Sequence, residues 1–191
     1  LCISACIFLV RYVQTKKIAT LVLTSICFFT ALLSKESSIT FLAILPLLIF
    51  IKSVKKETSL NWSAAIKPIL TLVAFAFLFL IIRHSVLSKI ASGDPSIADN
   101  LLMAAKSYDQ KFATSILILG MYLKLLFIPH PLVFDYSFNQ IPLVGMGNIW
   151  FILSMAIHIG LLLWAVLLWK KNKLLSFTIL FYFISMSIYA N

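Results

Sequence analysis

Seven apolar runs alternate with short polar stretches along the chain: Leu1–Val10, Ile18–Leu33, Ile39–Ile51, Pro68–Ile82, Phe112–Ile128, Ile149–Trp169 and Leu174–Ala190. A helix that crosses a membrane needs about 20 apolar residues, with a range near 17–25. Several of these runs are shorter. Such lengths occur where helices shelter inside a bundle or line a wet cavity. The pattern predicts an all-α, polytopic transmembrane helix bundle, with residues 1–191 as a single membrane-embedded domain. Trp150, Trp164, Trp169 and Tyr189 lie near the ends of the last runs, where interfacial anchoring places aromatic rings. Internal repeats and low-complexity segments are absent from the sequence.

Composition strengthens this reading. Hydrophobic residues make up 62% of the chain and charged residues 12%, and mean hydropathy is +1.05. Soluble domains have roughly 45–50% apolar and about 25% charged residues. An ordinary cytosolic domain, a disordered tail and a disulfide-rich secreted module are therefore excluded. The chain begins with Leu1 and stops at Asn191 directly after an apolar run. We expect a piece of a longer protein, cut at both ends. Leu1–Val10 lacks the basic start and small-residue cleavage site of a signal peptide.

The net charge is +10. In this setting the basic residues read as flanks of membrane helices rather than as a nucleic-acid surface, and no nucleic-acid partner is expected. Arg11, Lys16 and Lys17 flank one turn, Lys52, Lys55, Lys56 and Lys67 a second, and Lys170, Lys171 and Lys173 a third. These three are placed on the cytoplasmic side. The Ser34–Ser38 turn then faces outward. The stretch from Arg83 to Lys111 carries Asp94, Asp99 and Asp109, and 129–148 has no Lys or Arg. Both are expected as extracytoplasmic loops, with bounds 83–111 and 129–148. That placement conflicts with a simple crossing at Phe112–Ile128. A re-entrant segment, which Gly120 and Lys124 would suit, a span hidden in 83–111, or a different side for one loop would each resolve it.

Three polar groups are candidates for chemistry. The first is Ser34-Lys35-Glu36-Ser37-Ser38. The flanking runs have 16 and 13 residues, about 24 and 20 Å of helix, against a hydrocarbon core of about 30 Å. The turn therefore sits below the outer surface, where charge is costly and marks function by default. The plain alternative is a hairpin capped at the interface, with Lys35 snorkelling. The second is Asp99-Asn100, read either as the N-cap of a short helix at Leu101–Ala105 or as an outward carboxylate and amide facing a membrane-bound substrate. The third is the aromatic loop Pro129–Pro142 with Asp135 and Tyr136, read either as an interfacial belt or as a sugar- or phosphate-contacting loop. His158 reads as a hydrogen-bonded buried histidine, with a proton relay as the alternative. Arg83-His84 reads as a phosphate site or as interface anchors. The three cysteines form no CxxC and have no zinc-like spacing to His84, His130 or His158, so no metal is expected. No GxSxG, P-loop or GxGxxG motif occurs.

"ALLSKESSIT" resembles the Lys-Glu turn of the transmembrane and tetratricopeptide-repeat O-mannosyltransferase-like proteins. "ADNLLMAAKSYDQKFATSILILGMYLKLLFIPHPLVFDYSFNQIP" is similar to their Asp-Asn loop and the Asp-Tyr-Ser loop that follows. The terminal "FISMSIYAN" resembles the start of their Ser-Asn segment, with Ala190 in the Ser position. The resemblance covers most of Ala31–Pro142. It implies a GT-C type glycosyltransferase that takes a sugar, such as mannose, from a dolichyl- or undecaprenyl-phosphate donor to a protein or glycan acceptor on the non-cytoplasmic face. It also implies that the principal catalytic acidic pair lies in a loop before Leu1, that a helical-repeat domain follows, and that this piece alone is inactive. Lys35, Glu36, Asp99, Asn100, Asp135 and Tyr136 become the expected substrate-binding residues, with Lys35, Arg83 and Lys124 as the cations near candidate depths. A bacterial inner membrane is preferred over the endoplasmic reticulum, because the loops are compact. The rival readings are a multi-pass transporter or flippase, a lipid-linked-glycan polymerase or ligase, and a non-catalytic membrane scaffold. Transporter sites lie at mid-membrane in interrupted helices of two repeats, whereas most polar residues here lie in the expected outward loops.

Overall fold

A computed structural model describes residues 1–53, 62–88, 101–132 and 140–189. Among these, every regular element is helical: α1 (Cys2–Thr15), α2 (Ile18–Ser34), α3 (Phe41–Ser53), α4 (Trp62–Leu87), α5 (Tyr108–Phe127), α6 (Ile149–Lys171) and α7 (Lys173–Met186), with 3-10 turns at Glu36–Thr40 and Leu101–Ala104. Ala65–Leu87, Tyr108–Phe127 and Ile149–Lys171 are long and apolar enough to cross a membrane. At 13–17 residues, α1, α2, α3 and α7 are shorter than the roughly 20 that a full crossing takes. The stretch from Arg83 to Lys111 is less of a loop than the apolar runs predict. Its first residues extend α4 and its last begin α5.

The chain divides into two compact units. The first contains Leu1–Ala91 and Trp169–Ser185, and the second Ser92–Leu168 and Met186–Asn191.

In the first unit, one apolar stripe from each of four helices builds the core. Ala5 and Leu9 lie one turn apart on α1, as do Phe28 and Leu32 on α2 and Leu45 and Ile49 on α3. Leu72, Ala76 and Phe79 do the same on α4. The α1–α2 hairpin closes at Lys16, whose backbone is left-handed (φ 56°) and whose N–H donates to Tyr12 O at 2.8 Å. Its ammonium lies 5.6 Å from the centre of the Tyr12 ring. Helices α2 and α4 run in the same sense, because Phe29 meets Phe75 and, seven and eight residues on, Glu36 meets Arg83. Helix α7 runs against α3. Phe50 stacks on Trp169, while Phe41 at the other end of α3 meets Phe181 edge-on.

Hydroxyls inside α2 are satisfied without leaving the helix. Thr24, Ser25, Thr30 and Ser34 each donate to the carbonyl four residues back. For the buried Thr24 and Ser25 this is how a polar side chain survives where water cannot reach. Among the described residues, no buried side-chain nitrogen or oxygen lacks a partner.

In the second unit, Ser107 caps α5 by accepting from Gln110 N at 3.2 Å, and Asn148 caps α6 by accepting from Trp150 N at 2.9 Å. The N-terminal parts of α5 and α6 lie together. Phe112 meets Phe151 edge-on, and Ser154 donates to Ile116 O at 2.6 Å. Helix α5 is unbroken, so the chain after Phe127 has to come back along it. Val144 N donates to Thr114 Oγ1 at 3.1 Å, some 13 residues, or about 20 Å of helix, before the end of α5. Phe112 beside Phe151, with Val144 on Thr114, brings Tyr108 and Asn148 to one end of this unit.

Candidate functional site

The described part of the candidate site is the turn between α2 and α3. Helix α2 stops because Lys35 adopts extended backbone (φ −155°, ψ 123°). The chain is then stapled back onto the helix it has left. Lys35 N donates to Ala31 O at 3.0 Å, and the buried Ser38 hydroxyl donates to the same carbonyl at 3.0 Å. Ser38 N closes the turn on Lys35 O at 3.0 Å. A serine at 38 thus makes this a shaped turn that holds Lys35 and Glu36 in fixed places.

Glu36 reaches across to α4. Arg83 Nε donates to Glu36 Oε1 at 2.8 Å, with both side chains substantially exposed. The contact is end-on through Nε, so both terminal amino groups of the guanidinium lie outside this bond. Helix α4 runs only four residues past Arg83, to Leu87. The ion pair therefore lies about one helical turn, some 6 Å, short of the end of α4. The sequence offers Arg83 as an available cation. The structure instead couples it to Glu36, which lies 47 residues earlier and which no local spacing connects to it.

Two of the basic turns lie at the other end of this unit: Lys16 and Lys17 directly precede α2, and Lys170, Lys171 and Lys173 surround the start of α7 beside the end of α3. Lys55 and Lys56 of the other basic turn lie outside the described residues. One end is thus rich in lysine, and the Lys35–Glu36–Arg83 group lies at the end opposite to it.

Asp99 and Asn100 fall in 89–100, and Asp135 and Tyr136 in 133–139; all four lie outside the described residues. The short helix expected after Asp99-Asn100 is present as the 3-10 turn Leu101–Ala104. Lys124 is exposed in the last turn of α5, in the second unit.

A second polar group lies in the second unit, and the sequence reading did not assemble it. Gly120 and Ser154 mark the point where α5 and α6 touch. A Cβ on Gly120 would lie 2.5 Å from Ser154 Oγ and 2.8 Å from its Cβ, so only glycine permits this approach. His158 is buried one turn further on, with Nδ1 2.7 Å from Ser154 O. A carbonyl only accepts, so Nδ1 carries the proton. This is the hydrogen-bonded buried histidine that the sequence reading expects. The signal for the contact was present as two small residues, Gly120 and Ser154, in otherwise bulky runs. Only the tertiary structure pairs them.

No group of three or more His, Cys, Asp or Glu able to hold a metal occurs among the described residues. Comparison with protein-family models, with curated proteins and with solved structures gives no match.

Proposed function

We propose that this chain is part of the membrane-embedded core of a GT-C type glycosyltransferase, similar to the O-mannosyltransferase-like proteins, which uses a polyprenyl-phosphate-linked sugar on the non-cytoplasmic face. The observation that carries the reading is the Lys35–Glu36–Arg83 group, gathered near one end of a helix bundle whose opposite end is basic. By the positive-inside rule the basic end faces the cytoplasm, which turns this group outward.

The chemistry fits a phosphate-linked donor. In the transfer, the acceptor hydroxyl oxygen bonds to the anomeric carbon, and the bond from that carbon to the phosphate oxygen breaks. The electron pair leaves with the polyprenyl phosphate, and the acceptor proton passes to a carboxylate base. Charge develops on the leaving phosphate, where fixed cations lower the barrier. Lys35 and Arg83 take that role here. Glu36, engaged by a guanidinium, is a poor base and acts as a positioning residue that holds Arg83. By the family resemblance the base lies in another loop, while Asp99, Asn100, Asp135 and Tyr136 line the outward rim and contact donor or acceptor.

The test is sugar transfer from a polyprenyl-phosphate donor in membranes carrying the full-length protein. Arg83→Gln is expected to lower turnover on the order of 100-fold. Glu36→Gln is expected to lower it less, and Glu36→Asp to recover part of the loss. Wild-type turnover in both Arg83→Gln and Glu36→Gln would sink the site assignment.

A further inference from the structure

We propose that the α6–α7 hairpin and the end of α3 form a binding site for an anionic phospholipid, at the end of the first unit opposite the Glu36–Arg83 pair. A cavity of about 450 Å³ opens there, lined by Lys170, Lys171 and Lys173 on one side and by Leu48, Ile51 and Phe177 on the other. Its size is that of a small-molecule pocket, about 300–1,000 Å³. The two walls differ in chemistry. Three ammonium groups within four residues offer a phosphate its counter-charges, and no carboxylate is among the described lining residues. The apolar wall comes from α3 and α7 and suits the start of an acyl chain.

The cavity is held open by its own architecture. Asn172 stands alone between α6 and α7, and its Oδ1 accepts from Leu175 N at 3.1 Å, which caps α7 and turns the chain sharply. Trp169, directly before the lysines, stacks on Phe50 at 5.3 Å and pins the hairpin against α3. The lysines are thus presented beside an apolar hollow rather than on a free loop. A charge-only role, orienting the chain by its basic loops, needs no hollow. An amphiphilic anion uses both walls, and the membrane that surrounds these helices supplies one.

The purified chain in detergent is titrated with phosphatidylglycerol, with phosphatidylcholine and with inorganic phosphate, and thermal unfolding is followed by circular dichroism. Phosphatidylglycerol is expected to raise the midpoint, and phosphatidylcholine and phosphate are not. In Lys170→Gln/Lys171→Gln/Lys173→Gln the half-saturating lipid concentration is expected to rise roughly 10- to 100-fold. Phe177→Ala is expected to weaken binding as well. Lys16→Gln/Lys17→Gln removes charge from the same end away from the cavity and is expected to leave binding unchanged. All of these lysines except Lys173 are exposed, and unliganded midpoints near wild type verify that the variants fold. Equal losses in the two lysine variants would make the effect one of general charge and overturn the site. Equal stabilisation by inorganic phosphate would overturn the lipid as its occupant.

Discussion

At the scale of single residues, the chain spends its few polar side chains on closing contacts that apolar packing leaves open. Thr114 is the strongest case. It is fully buried, and it both accepts from Val144 N at 3.1 Å and donates to Val144 O at 3.4 Å, holding the returning chain onto α5. Thr114→Val keeps the shape and leaves a buried N–H without a partner. We expect a loss of about 1–3 kcal/mol, read as a lower midpoint in thermal unfolding; an unchanged midpoint would contradict the role given to this hydroxyl. Glu36 and Arg83 are of a different kind. Both are exposed in the fold, so their pairing is expected to matter for what the turn binds more than for whether it forms. Ser38 holds the turn itself, through Ala31 O. Of these residues only Lys35, Glu36 and Arg83 stood out in the sequence, because charge next to long apolar runs is conspicuous. A buried threonine or serine is not conspicuous, since its importance depends on a partner elsewhere in the chain.

At the scale of elements, helix positions follow closely from hydropathy, and helix ends do not. The run Pro68–Ile82 lies inside α4, which extends it at both ends. The extension carries Arg83 to the level of Glu36. Apolar periodicity does not register where a helix continues through polar residues, because backbone hydrogen bonding does not depend on hydropathy. The contact between α5 and α6 belongs to this scale too. It is set by Gly120 against Ser154, with a hydrogen bond from Ser154 to Ile116 O. Gly120→Ala forces the helices apart and is expected to cost about 1–3 kcal/mol. Adding Ser154→Gly removes the obstructing side chain and should return part of that loss, although it forfeits the bond to Ile116. A double-mutant cycle in thermal unfolding measures the coupling; strictly additive effects would show that these two residues do not share one contact.

At the scale of the whole molecule, direction of travel is the central quantity. Tyr108 and Asn148 lie at one end of the second unit because the chain after α5 returns along it. Among the described residues, Val144 is held against α5 by Thr114 and by packing with Ala113 and Phe151. In a cysteine-free background, single cysteines at Ser107 and Met146 are expected to react with a membrane-impermeant thiol reagent from the same side. A cysteine at Asn172 is expected to react from the side opposite to one at Ser37. Labelling of 107 and 146 from opposite sides would refute the return path.

Hydropathy alone determined that this is a helical protein with helices long and apolar enough to cross a membrane, and where those helices lie, because burial in lipid demands long apolar runs whatever their neighbours are. It also marked Lys35 and Glu36, since charge in such surroundings is rare. Tertiary structure decided which helices share a direction, that Arg83 belongs to Glu36, that Gly120 receives Ser154, and that the chain after α5 turns back. Each of these joins positions tens of residues apart through a hydrogen bond, an ion pair or a close approach. Such contacts are set by packing geometry in three dimensions and leave no period along the chain.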